Sequence, residues 1–321
     1  MPQKFSIGQG AASRTVAVLT RAGASPPVVW LPGFRSDMRS TKAEALDRWA
    51  AACGRALVRF DYSGHGQSGG AFEDCTVSRW LEDTLAVLDR FVADRPILVG
   101  SSMGGWIALL ATRELLRSRP ERSPAGLVLI APAVDFTERL MWDRFPDSIR
   151  RALVETGLYE VPSVYSDEPY PITRALIEDG RRHLVFGSPI ATACPVHILQ
   201  GIQDPEVPWG NAMQLVEHLP GDSVTLTLVK DGDHRLSRPE DLERLTRAIE
   251  AMASAGGERG QWRLTVSRSF AHALETAAAR ESVSMIGTPL AESRAKSWRP
   301  GWISGAWGKR RRTSSERSGF T

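Results

Sequence analysis

The chain has 321 residues, 42% hydrophobic and 24% charged, a soluble globular composition long enough for one large α/β domain or two small ones. No run of about 18 apolar residues occurs, so no helical membrane span is expected, and three widely spaced cysteines (Cys53, Cys75, Cys194) make neither a disulfide framework nor a metal-binding spacing. The net charge of +3 hides an asymmetry: the 40 Lys+Arg and 37 Asp+Glu divide as 12 and 5 from Gly256 onward and 28 and 32 before it, so the body is mildly acidic and carries no nucleic-acid signal.

Basic residues (Lys4, Arg14, Arg21) precede the first acid at Asp37, but Thr15-Val16-Ala17-Val18-Leu19 reads as a strand and no apolar secretory core is present. Val28-Val29-Trp30-Leu31 predicts a buried strand ending at Pro32-Gly33-Phe34. Residues 41–54 carry Leu46, Trp49, Ala50 and Cys53 at helical spacing, with Gly54 as the stop. Ala56-Leu57-Val58-Arg59-Phe60 is the next strand, broken by Asp61-Tyr62-Ser63-Gly64-His65-Gly66-Gln67-Ser68. Val77, Trp80, Leu81, Leu85, Leu88 and Val92 then line one face of a helix.

Ile97-Leu98-Val99 runs straight into Gly-x-Ser-x-Gly (Gly100, Ser102, Gly104), and a helical apolar pattern follows from Trp106 to Leu116. Strand, Gly-x-Ser-x-Gly, helix is the context of a nucleophile elbow. The chain doubles back so sharply there that the positions two before and two after the serine must be nearly free of side chain. The serine oxygen then projects from the sheet, and the Met103 N–H at the helix start faces the reacting centre. Leu127-Val128-Leu129-Ile130 predicts another strand, and the alternation implies a parallel sheet built from βαβ units, with chemistry at the carboxyl ends of its strands.

From Asp135 to Thr192 the alternation stops. Five prolines and a helical piece over residues 172–183 predict a small, mostly helical lid at 135–192, between core segments 1–134 and 193–255. The α/β pattern resumes with Val196-His197-Ile198-Leu199-Gln200, a helix over 210–219 and a last strand over 224–229, which leads into Lys230-Asp231-Gly232-Asp233-His234. Ser237-Arg238-Pro239-Glu240 predicts a capping box for a final helix over 239–253. Residues 256–321, rich in Arg, Ser and Gly with Lys309-Arg310-Arg311-Arg312 near the end, are expected to be a disordered basic tail in which only 269–280 has helical character.

A serine hydroxyl needs a base, and the base needs a third group to fix its tautomer. Of six histidines, His234 follows the last strand in a loop that reaches over the sheet, whereas His65 precedes Ser102 and His183, His197, His218 and His272 fall in the lid, a strand, a surface helix and the tail. Asp204, just past a strand end, is the favoured acid; Asp135 is its rival, and Asp231 and Asp233 lie too near His234 in sequence to orient its ring. The order Ser…acid…His then holds. The Met103 and Phe34 N–H groups are the expected oxyanion donors.

Leu31-Pro32-Gly33-Phe34-Arg35-Ser36-Asp37-Met38, Arg59-Phe60-Asp61-Tyr62-Ser63-Gly64, the elbow and Asp204-Pro205-Glu206-Val207-Pro208-Trp209 occur together and in order, with Asp233-His234-Arg235 after them. Pro162-Ser163, Tyr165-Ser166 and Ser188-Pro189-Ile190 add to the match within the lid. Over about residues 15–253 the chain resembles the α/β-hydrolase subfamily of mitochondrial palmitoyl-protein thioesterases that also act on acyl glucuronides, with their bacterial relatives. The resemblance implies an α/β-hydrolase fold with Ser102, Asp204 and His234 as triad, no cofactor and no metal, and a small-molecule or protein-linked acyl ester or thioester as partner. A low-turnover binding module of the same fold, or C–C hydrolase or perhydrolase chemistry on the same residues, are the competing readings.

Overall fold

The computed structural model describes residues 1–10, 13–161, 169–220 and 223–254, and the backbone of 263–266. Among them the strands are β1 (Gln3–Ile7), β2 (Arg14–Arg21), β3 (Ala24–Leu31), β4 (Arg55–Phe60), β5 (Ile97–Ser101), β6 (Gly126–Ile130), β7 (Leu158–Val161), β8 (Tyr170–Thr173), β9 (Val196–Gly201), β10 (Val224–Val229) and β11 (Arg263–Val266). The helices are α1 (Thr41–Cys53), α2 (Val77–Phe91), α3 (Met103–Ser118), α4 (Asp147–Thr156), α5 (Arg174–Gly180), α6 (Trp209–Glu217) and α7 (Pro239–Ser254). Nine of these strands form one sheet in the order β1-β2-β4-β3-β5-β6-β9-β10-β11. It is parallel from β4 to β11, and β1 and β2 extend it antiparallel at one edge.

The strands read as unbroken apolar runs because both faces of the sheet are covered. Val28, Trp30, Ile97, Val99, Val128 and Ile130 point to one side, where Ala43, Leu46 and Ala50 of α1 meet Leu245, Ala248 and Ile249 of α7. Their neighbours Val29, Leu31, Leu98, Leu127 and Leu129 point to the other, against Trp80 of α2, Trp106 and Leu110 of α3 and Leu215 of α6. Alternation of direction with burial on both faces is the pattern of a doubly covered parallel sheet. The sheet places the ends of β3, β5, β6 and β9 side by side, since Leu31 is level with Gly100, Gly100 with Leu129 and Ile130 with Leu199.

Three expectations are corrected. The inserted segment is not only helical: besides a π-helical turn (Thr137–Met141), α4 and α5, it contains the antiparallel pair β7–β8. Pro169 and Pro171 disfavour a helix there, Ile172 lies in β8 instead of opening a helix, and Thr173 caps α5 by accepting the Leu176 N–H at 3.1 Å. The α7 capping box does not form as read, because the Ser237 hydroxyl donates to Arg235 O while Asp241 accepts the Arg238 N–H at 3.3 Å. Within the stretch read as a tail, β11 pairs in parallel with β10. The helical piece at 269–280 and the motif residues 162–166 lie outside the described residues. Among those described, no helix is long and apolar enough to cross a membrane.

Candidate active site

The site is built on a one-residue turn between β5 and α3. Ser102 sits between the last residue of β5 and the first of α3 with φ 53 and ψ −118, a conformation that costs a non-glycine residue on the order of 1–3 kcal/mol. Its surroundings hold it there: the Ser102 N–H donates to Ile130 O at 2.8 Å, and its carbonyl accepts from Gly105 at 2.9 Å and Ala133 at 3.1 Å. A Cβ on Gly104 would lie 2.1 Å from Leu31 O, and one on Gly100 would lie 2.3 Å from Gly104 O, which is why the flanking residues are glycine.

From that position the Ser102 hydroxyl donates to His234 Nε2 at 3.2 Å, and His234 Nδ1 donates to Asp204 Oδ2 at 2.8 Å. A carboxylate only accepts, so the proton of the neutral ring resides on Nδ1 and the Nε2 lone pair faces the serine. Asp204 is buried, and its other oxygen accepts the Glu206 and Val207 amides, each at 2.9 Å. The ends of β5, β9 and β10 thus bring Ser102, Asp204 and His234 into one hydrogen-bonded line. Phe34 follows β3 beside it: a Cβ on Gly33 would lie 3.4 Å from Ser102 Cβ. The Met103 N–H opens α3 and has no acceptor within the helix.

A model of the alpha/beta hydrolase family matches residues 28–245. The chain belongs to the alpha/beta hydrolase family. It is 36% identical over 229 residues to the mitochondrial palmitoyl-protein thioesterase ABHD10 of Bos taurus, covering 71% of this chain and 73% of that protein. Among solved structures it is similar to a hydrolase described as putative from Agrobacterium vitis S4, with 53% identity, TM-score 0.77, and 79% of this chain and 99% of that one covered. It is also similar to alpha/beta hydrolase domain-containing protein 10 from mouse, with 32% identity, TM-score 0.69, and 78% and 98% covered.

Within this alpha/beta hydrolase the rival acid does other work. Asp135, buried at φ 55, accepts the Val185 and Phe186 amides at 2.9 and 3.1 Å, and so ties the return of the inserted segment to the end of β6. Asp233 accepts the Leu236 N–H, and Asp231 pairs with Arg238. The remaining described histidines bond elsewhere: His183 to Ser78, His197 to Thr227, His218 to Gln214 and Phe186, and His65 to Ser63 and Arg35. His272 lies outside the described residues.

Sequence reasoning missed three neighbours of the line. Gln200, fully buried in β9, donates to Asp204 Oδ2 at 3.2 Å and to Val207 O at 3.0 Å; a lone amide closing an apolar strand was its only signal. Glu206 Oε2 lies 3.5 Å from His234 Nε2. Lys42 donates to Arg235 O and to Ser237 Oγ, fastening the loop that carries His234, and burial pushes its ammonium down to about 8.

Two histidines make stability depend on acid. Burial pushes His65 and His197 down to about 4 from an ordinary 6.5. Both states of the protein are neutral at these positions above 6.5, whereas between 6.5 and about 4 the unfolded chain binds protons that the folded chain refuses. Stability is therefore present in full above that window and lost as pH falls through it, by roughly 3 kcal/mol at the limit for a fully buried ring. Urea midpoints measured from about pH 7 to about pH 4.5 should fall, and less steeply in His197→Val. An unchanged slope in that variant would remove His197 from the account.

Proposed function

We propose that the protein is a serine hydrolase that cleaves acyl esters or thioesters through an acyl-enzyme on Ser102. The observation that carries this reading is the hydrogen-bonded line from Ser102 through His234 to Asp204 at the tip of a strained strand-to-helix turn. Ser102 Oγ attacks the acyl carbonyl while His234 Nε2 takes its proton, and the Asp204 carboxylate faces the imidazolium that results. The carbonyl oxygen, now negative, is received by the Met103 and Phe34 N–H groups. Collapse breaks the bond to the leaving thiol or alcohol, which receives the proton from His234. Water, deprotonated by the same nitrogen, then releases the acid and regenerates Ser102.

Identity to a palmitoyl-protein thioesterase supports a long acyl chain and a thiol leaving group. Three free cysteines, two of them buried, fit a reducing cytoplasm as the working compartment.

The test is a series of p-nitrophenyl esters from acetyl to palmitoyl, with an S-palmitoyl cysteine peptide alongside, on wild type and Ser102→Ala. The wild type should turn over the peptide and the longer esters, and the variant should lose both turnover and fluorophosphonate labelling. Turnover confined to acetyl and butyryl esters would overturn the long-chain thioester reading while leaving Ser102 as nucleophile. Labelling of Ser102 without any turnover would overturn the hydrolase reading in favour of a binding module.

A further inference from the structure

The segment that supplies the Phe34 amide is a β-turn in an uncommon state. The Ser36 N–H donates to Gly33 O at 3.0 Å, closing a turn over residues 33–36, and Arg35, its third residue, has φ 58. Phe34 is not in that region, so this is the type II form, whose third position is normally taken by glycine or asparagine. An arginine there pays a steric penalty on the order of 1 kcal/mol that nothing within the turn repays. Something outside it selects this form.

That contact is His65. The Arg35 N–H donates to His65 Nε2 at 3.0 Å. His65 Nδ1 lies 3.1 Å from Ser63 O, which only accepts, so Nδ1 carries the proton and the Nε2 lone pair is committed to Arg35. The ring is buried among Tyr62, Phe72 and Trp80, at centroid distances of 6.0, 5.2 and 5.6 Å, and cannot swing away. Burial also keeps it unprotonated at neutral pH.

Type I and type II turns differ by a half-rotation of the central peptide, here the one joining Phe34 to Arg35. In type I the Arg35 N–H would turn away from His65, and the Phe34 carbonyl would face the imidazole lone pair, which repels it. The turn in turn fixes the preceding peptide. In a planar trans unit C=O and N–H point in opposite directions. With Gly33 O drawn inward to Ser36, the Phe34 N–H is directed out of the turn, on a backbone that lies against Ser102.

We propose that His65 is a positioning residue: its neutral imidazole, by accepting the Arg35 N–H, anchors the strained turn over residues 33–36 against Ser102 and so holds the Phe34 amide in place as an oxyanion donor. This rests on the serine-hydrolase reading above. His65 touches neither substrate nor Ser102; it acts through the Arg35 amide.

The test exploits the strain. His65→Leu keeps an apolar side chain among the three rings and removes the acceptor. It should lower kcat for the best ester, and the rate of fluorophosphonate labelling of Ser102, on the order of 10²-fold with little change in KM, the scale of a lost oxyanion donor. Adding Arg35→Gly to His65→Leu should recover about tenfold or more, because glycine adopts φ near 58 without a partner. His65→Gln, which retains an acceptor, should stay within about tenfold of wild type. Hydrogen exchange at the Arg35 amide should quicken in His65→Leu, a readout that needs no activity.

A His65→Leu protein that is insoluble alone but soluble with Arg35→Gly supports the proposal equally, since packing lost among the rings is not restored at residue 35. An unrescued double variant, or unchanged kcat and exchange in His65→Leu, overturns it. Failure of the underlying reading looks different: wild type would then not label at Ser102, or Ser102→Ala would keep its turnover, whatever the His65 variants do.

Discussion

Ser102→Ala and His234→Ala are each expected to lower kcat toward an activated ester on the order of 10⁶-fold, and Asp204→Ala on the order of 10⁴-fold. In the proposed mechanism the three groups act as one unit: the Ser102 hydroxyl becomes a nucleophile when His234 Nε2, 3.2 Å away, takes its proton, and the bond from Nδ1 to Asp204 at 2.8 Å favours the tautomer with Nε2 free. Removing a second member after the first should therefore cost almost nothing further, and the double and triple variants should sit at the level of Ser102→Ala. Asp204→Ala is the milder change because Nε2 stays beside Ser102 in some tautomers. It also strips an acceptor from the Glu206 and Val207 amides, so Asp204→Asn is the cleaner comparison: it keeps an oxygen for them while disturbing the Nδ1 partner. Single-turnover kinetics with thermal unfolding alongside decides the matter. More than about 1% of wild-type turnover in Ser102→Ala, after active-site titration excludes contamination, would remove Ser102 from the mechanism.

Gly104→Ala is expected to destabilise the fold by about 4 kcal/mol or more, or to leave no soluble protein. The added Cβ would lie 2.1 Å from Leu31 O and 2.6 Å from Pro32 O. These are main-chain atoms at the end of β3, whose register with β5 pairs Leu31 with Gly100, so relief requires the two central strands to part. No rotamer change can absorb it. Gly210→Ala is the control: a Cβ there meets nothing within 4 Å, and in helix α6 the substitution should be neutral or stabilising by up to about 1 kcal/mol. Urea midpoints of the two variants should move in opposite directions. A Gly104→Ala protein as stable as wild type would mean that the elbow is looser than its geometry implies.

Much of the fold was legible because its signals are local. The runs Val28-Val29-Trp30-Leu31 and Leu127-Val128-Leu129-Ile130 are apolar at every position because each is covered on both faces, and the helix after Thr76 shows its buried face in Val77, Trp80, Val87 and Leu88. The edges were harder to read. β7 alternates exposed and half-buried residues, β8 begins Tyr170-Pro171, and their pairing depends on a partner strand across the turn rather than on composition. β11 lies in a stretch whose Arg, Ser and Gly content argues against any element, and its strand exists only by pairing along β10.

The sequence by itself determined the elbow, because a doubled-back turn admits only glycine at positions 100 and 104, and it determined the doubly covered sheet, because burial on both faces demands continuous apolar strands. It also narrowed the base and acid to residues at strand ends. Only the tertiary structure shows what Asp204 and Asp135 each meet. Both are buried carboxylates just past parallel strands, and they differ in what each meets across the sheet: one a histidine ring, the other the amides of Val185 and Phe186. It alone paired His234 with Asp204 and His65 with the Arg35 amide. A hydrogen bond between residues 30 or more apart leaves no period and no spacing in a sequence; it is fixed by where the sheet sets the ends of its strands.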